Sequence, residues 1–139
     1  MKPVYPAEIT KDEKGFFFVR FLDFDEAITD GESMEEALFN AQEVLTLTIE
    51  GRMDEGIDIP DPQQAAGKNI HFIAPAARVQ AALLVHRARG NRSLADLARA
   101  LETSWPSAKR LEDPHHSPTL KMLDRAAATL GKRLVLSFE

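Results

Sequence analysis

The sequence predicts an α+β protein in two parts: a small β-β-β-α-β domain over residues 1–74, then an all-α helix-turn-helix domain with a terminal strand over residues 75–139. Three observations carry that expectation. Two runs rich in aromatic and β-branched residues flank the polar turn KDEKG, the pattern of a hairpin. A capped helix and a further apolar run, IHFIA, follow. Beyond Pro75 the apolar residues recur at helical intervals until the closing RLVLSF.

Pro3 to Thr10 alternates apolar and polar residues and reads as the first strand. In the second, Phe17, Val19 and Phe21 share one face, while Phe16, Phe18, Arg20 and Leu22 share the other. Both faces are largely apolar, so one meets a helix and the other is covered or open to a partner. Ala27 to Thr29 forms a short third strand, ended by Asp30–Gly31. Ser33 and Glu36 have capping-box spacing. Met34, Ala37, Leu38, Ala41, Val44, Leu45 and Ile49 then mark an amphipathic helix over Ser33–Arg52. A turn-rich loop over Gly56–Asn69 leads to the fourth strand, Ile70–Ala74.

In the second part, Val79, Ala82, Leu83 and His86 share a helical face, and Gly90–Asn91 ends that helix. The stretch SLADLARALETSWPSAKRL follows. Ser93 caps one short helix bearing Leu94, Leu97, Ala98 and Leu101; Ser104 caps a second, with Pro106 tolerated in its first turn. Ala98 lets the second helix cross closely, and Ala108 and Leu111 face back into the shared core. Ser117 caps a last helix with Pro118 at its first position and Leu120, Leu123, Ala127 and Leu130 as the buried stripe. Arg133 to Phe138 reads as a lone strand whose free edges predict pairing with a second copy, hence a homodimer or higher homo-oligomer.

Charge divides the chain the same way. Residues 1–74 hold 6 Lys+Arg against 16 Asp+Glu, a net −10; residues 75–139 hold 11 against 6, a net +5. The basic back suits phosphate and the acidic front suits a basic protein. With no cysteine, neither disulfides nor thiolate metal sites arise. No apolar run nears the roughly 20 residues that span a bilayer, and MKPVYPAEI lacks the apolar core of a secretory signal. A cytoplasmic protein with no membrane partner is expected.

The stretch from Ser93 to Leu111 resembles the helix-turn-helix of Cro-type phage repressors, as does the downstream EDPHHSPTLKMLDRAAATLG. Glu102 stands at the turn position that is usually glycine. The front half carries a second resemblance. YPAEI, GFFFVRF and ITDGESMEEALFNAQEVL, continuing through IPDPQ to the ending LGKRLVLSFE, are similar to the HicB family of bacterial antitoxins. Asp25–Glu26–Ala27 departs from the Pro-Gly-Cys-like turn of many members.

That resemblance implies a partial ribonuclease-H-like front domain that binds a HicA-like mRNA-cleaving toxin and masks its active surface. It implies a back domain that binds operator double-stranded DNA and represses its own operon. The candidate toxin-binding residues are Phe18, Arg20, Asp23, Asp25, Glu26 and Asp30. The candidate DNA-binding residues are Arg92, Ser93, Ser104, Trp105, Ser107, Lys109 and Arg110. Lys109 and Arg110 are the best base-edge or phosphate donors; Trp105 suits a thymine methyl or a sugar.

No enzyme, cofactor or metal is expected. Asp23, Asp25 and Asp30 come from one short segment, whereas a two-metal site needs several converging carboxylates. His71, His86 and the adjacent His115–His116 lack metal-ligand spacing. Two other functions fit the residues less well: a free-standing transcriptional regulator with a sensing front domain, and a weak nuclease.

Overall fold

Strict alternation of apolar side chains builds a sheet with one buried face. In the computed structural model, which describes residues 2–139, the strands are β1 (Tyr5–Lys11), β2 (Phe17–Phe21), β3 (Ile28–Gly31) and β4 (Ile70–Ile73). All pairings are antiparallel and the order is β3-β2-β1-β4. The β1–β2 turn closes on Asp12, whose Oδ1 accepts from the backbone N–H of Lys14 and Phe16, both at 2.9 Å. Gly15 supplies the left-handed residue, φ 90°.

Helix α1 (Met34–Asp54) covers one face of the sheet. Ser33 Oγ accepts from Glu36 N at 3.1 Å and starts it. Tyr5, Ala7, Ile9, Val19, Phe21 and Ile73 lie buried, as do Ala37, Ala41, Leu45 and Ile49 of the helix. Each large side chain in such a layer contributes about 1.5–3 kcal/mol. Contact is closest at Gly31, where an added Cβ would lie 2.4 Å from the Ala37 nitrogen. Strand β3 runs later than the expected Ala27–Thr29. Ala27 turns inward and is held by its N–H to Phe24 O, while Asp30 and Gly31 continue the ladder against Phe18 and Phe17.

The chain divides into two compact units, one ending at Ala77 and the other running from Arg78 to Glu139. The second contains α2 (Ala77–Arg89, its first residue at the boundary), α3 (Leu94–Ala100), α4 (Trp105–Arg110) and α5 (Leu120–Thr129). Its core gathers Val85, Leu97, Ala98, Leu101, Ala108, Leu111, Ala126 and Leu130.

Four expectations shift here. The cap of α5 is Thr119, whose Oγ1 accepts from Met122 N at 3.1 Å, not Ser117; Pro118 therefore precedes the cap. Leu120 is exposed, because Met122, Leu123 and Ala126 face the core and Leu120 stands roughly 100° around the helix from them. His86 is exposed rather than in the apolar face of α2, and its Nδ1 lies 2.7 Å from Glu112 Oε1. Residues 132–139 form no strand within the single chain, and Val135, Leu136 and Phe138 are exposed. A ladder requires a second strand beside it.

Candidate functional site

The first unit leaves one sheet face uncovered by α1. Alternation places Glu8, Thr10, Phe18, Arg20, Ile28, Asp30 and Phe72 there. Register aligns Ile28, Arg20, Glu8 and Ile70 in one row and Asp30, Phe18 and Thr10 in the next. Phe18, Ile28 and Phe72 are 44%, 48% and 54% exposed. Arg20 Nη2 meets Glu8 Oε1 at 3.3 Å. The face is thus apolar with a charged pair at its centre. Ile28, Glu8 and Phe72 were absent from the sequence-based set, although the same alternation that chose Phe18 and Arg20 reaches them through the register.

The acidic loop between β2 and β3 splits in two. Asp23 is turned toward the chain: the backbone and side-chain amides of Gln63 donate to it at 3.2–3.3 Å. Glu26 receives both Arg52 Nε and Nη2, at 2.8 and 2.7 Å. That bond holds the Glu26 carboxyl below the usual glutamate range and pushes the Arg52 guanidinium up. Arg52 also lies over the Phe24 ring at 4.8 Å. Asp25 and Asp30 are exposed. Asp23 and Glu26 thus bond within the unit and shape the loop, while Phe18, Arg20 and Asp30 lie on the open sheet face and Asp25 is exposed.

In the second unit α3 ends in a left-handed residue. Glu102 has φ 54°, its N–H donates to Arg99 O at 3.1 Å, and Thr103 N donates to Ala98 O at 2.9 Å. This is a Schellman end with glutamate where glycine is preferred. Gly131 closes α5 with the same pair of bonds. Arg125 Nη2 donates to Leu101 O at 3.0 Å and satisfies another terminal carbonyl.

Helix α4 buries Ala108 and exposes Trp105, Pro106, Lys109 and Arg110. Ser104 Oγ accepts from Ser107 N at 3.2 Å and donates to Ser107 Oγ at 2.9 Å, so these two hydroxyls are turned on each other. Lys109 Nζ sits 5.2 Å from the centroid of the Trp105 ring. Ser93 Oγ caps α3 by accepting from Asp96 N at 3.0 Å. Hydrogen bonds to the Asp96 carboxyl, from the Ser93 side chain first and then from Arg99, keep it below the ordinary range. Arg92 donates to Ala88 O at 2.9 Å and Leu130 O at 3.4 Å, binding helix ends together.

One polar cluster escaped the sequence reading. Glu112, nearly buried, receives Arg89 Nε at 2.6 Å and Nη2 at 3.0 Å, and lies 2.7 Å from His86 Nδ1. No local spacing links positions 23 and 26 residues apart, so only the fold reveals it. Among the described residues, no three or more His, Cys, Asp or Glu gather as metal ligands, and no helix is long and apolar enough to cross a membrane.

Residues 4–79 match the family model described as HicB_like antitoxin of bacterial toxin-antitoxin system. Antitoxin HicB 2 of Photorhabdus laumondii is 34% identical over 134 residues, covering 95% of this chain and 94% of that protein. Antitoxin HicB of Escherichia coli K12 is 29% identical over 134 residues, covering 95% and 96%. Among solved structures, a toxin-antitoxin complex from Streptococcus pneumoniae matches at TM-score 0.47 and 17% identity, covering 76% of this chain and 92% of that one. The first unit, with its open sheet face, is thus that of an antitoxin from a bacterial toxin–antitoxin system. The chain belongs to the HicB-like antitoxin family.

Proposed function

We propose that this antitoxin blocks a small basic ribonuclease toxin of the HicA type with residues 1–74 and represses its own operon with residues 75–139. The carrying observation is the charge partition: a net −10 before Pro75 and +5 from there on, on separate compact units. Acidic residues steer a cationic partner; the apolar side chains Phe18, Ile28 and Phe72 hold it once water is expelled. Phe18, Arg20, Asp25 and Asp30 are the direct contacts, and Asp23 and Glu26 set the loop between them. The chain itself performs no catalysis; inhibition is steric.

In the second unit α3 and α4 act as a helix-turn-helix with α4 in the major groove of operator DNA. Lys109, Arg110 and Trp105 face the bases. Ser93, Ser104, Ser107 and Arg92 hold the helix termini that approach phosphates. Residues 133–138 pair with the same segment of a second chain, giving a two-fold dimer matched to an inverted-repeat operator. The protein works in the cytoplasm, where both partners are found.

Two full-length variants test the division. Phe18→Asp is expected to lose rescue of cells expressing the toxin from the adjoining gene while still shifting operon-promoter DNA. Lys109→Ala with Arg110→Ala is expected to do the reverse. If either variant loses both activities while remaining folded, or neither variant loses any, the division fails.

A further inference from the structure

Helix α1 carries an exposed ridge that its own chain does not explain. Phe39, Glu43, Leu47 and Gly51 follow one another four residues apart, the spacing of a single ridge. Phe39 is 63% and Leu47 64% exposed. Gly51 sits inside the helix, where glycine costs stability relative to alanine. An added Cβ there would meet nothing within 4 Å, and its φ is not left-handed. Neither backbone conformation nor packing within the chain requires that glycine. A glycine beside an exposed leucine fits the close approach of a second backbone.

Two side chains join the helix that bears this ridge to strand β3 and the β2–β3 loop. Asn40, one turn from both Glu36 and Glu43, donates its side-chain amide to Asp30 O at 2.9 Å and so joins this flank of α1 to strand β3. Arg52, next to Gly51, joins the end of the helix to Glu26 of the acidic loop. Charge then selects the occupant. On the exposed side of α1 stand the carboxylates of Glu35, Glu36, Glu43 and Asp54, and the helix's one cation, Arg52, is held by Glu26. A second copy laid on this ridge would set carboxylates against carboxylates. A cationic protein surface with an apolar side chain at its centre meets both features.

We infer that the toxin-binding surface extends from the β2–β3 loop across strand β3 onto α1. There Leu47 fills a hollow of the basic partner, and Gly51 lets the partner's backbone approach closely. This rests on the antitoxin reading above and adds residues that neither the sequence nor the family resemblance assigned.

The test titrates full-length protein with the purified product of the adjoining small gene, using wild type, Leu47→Lys and Gly51→Ala. Leu47→Lys is expected to weaken binding at least tenfold while leaving the circular dichroism spectrum and thermal midpoint in place, since Leu47 is exposed. Gly51→Ala is expected to raise the midpoint by a few degrees and yet weaken binding severalfold. That opposition marks a glycine kept for a partner, because a purely structural role would not produce it. If wild type binds and both variants bind equally well, the inference is overturned and the antitoxin reading stands. A lower oligomeric state in Leu47→Lys with unchanged partner binding also overturns it, in favour of a contact between copies. If wild type itself does not bind, both readings fall.

Discussion

Arg89 grips Glu112 through two nitrogens, Nε to Oε2 at 2.6 Å and Nη2 to Oε1 at 3.0 Å. The pair ties α2 to the segment just after α4, and both side chains are largely shielded, at 16% and 9% exposure. Glu112 holds Arg89 charged through that bond, and its pKa lies above the usual arginine value.

Removing one partner strands the other charge in a poorly hydrated place. Glu112→Ala is expected to destabilise the second unit by about 2–3 kcal/mol, somewhat below the loss for a fully buried pair. Urea unfolding followed by the fluorescence of Trp105, the sole tryptophan, measures it. A loss below about 0.5 kcal/mol, the level of a surface pair, would show that the bridge does not hold α2 in place.

Glu102 occupies a left-handed conformation at the end of α3. Its side chain is exposed, so no burial of that side chain offsets the strain. Glu102→Gly is expected to stabilise the protein by about 0.5–1 kcal/mol, whereas Glu102→Val is expected to destabilise it. Thermal midpoints of the two variants should move in opposite directions.

Gly31 is the reverse case. A Cβ at this position collides with the α1 backbone at Ala37, and backbone cannot rotate aside. Gly31→Ala is expected to cost about 3 kcal/mol through displacement of α1 from β3. Denaturant titration should show a lower midpoint with an unchanged slope.

Acid should loosen the β2–β3 loop. Glu26 has its pKa lowered chiefly by the Arg52 hydrogen bond. Its stabilising contribution is therefore full above the unfolded glutamate value of about 4.3 and is lost as pH falls through the lower folded value. The pair is half exposed on the glutamate side, so water screens it and the contribution stays below about 1 kcal/mol. In Glu26→Gln the part of the acid destabilisation below pH ~4 that comes from this residue should disappear, read from stability measured at a series of pH values.

Arg110 is exposed on α4. Arg110→Ala is expected to weaken operator binding by about 1–3 kcal/mol and to relax preference at one base position if it reads a base edge. An equal loss on every sequence, with a shallower salt dependence, would assign it to phosphate instead.

Much of the architecture was legible in local patterns. Strand alternation set Phe17, Val19 and Phe21 on one face, of which Val19 and Phe21 are buried, and helical spacing picked out Ala37, Ala41, Leu45 and Ile49. The order β-β-β-α-β follows from where those periods change. Ser33, Ser93 and Ser104 were readable as caps because capping depends on a hydroxyl three residues before an unpaired amide. The same rule misplaced the start of α5, where Ser117 and Thr119 both offer that hydroxyl and packing chose the second.

By itself, then, the chain's residue order determined where the sheet strands and the helices lie and the separation of charge, since these depend on neighbours a few positions apart. Only the tertiary structure decided which carboxylates are bonded within the chain. Asp23 is taken by Gln63 and Glu26 by Arg52, partners 40 and 26 residues away. It likewise decided that Glu112 serves Arg89, and that Asn40 joins α1 to the edge strand. A long-range partner leaves no periodic trace along a chain, because its position is set by how layers stack and strands register rather than by the repeat of any one element.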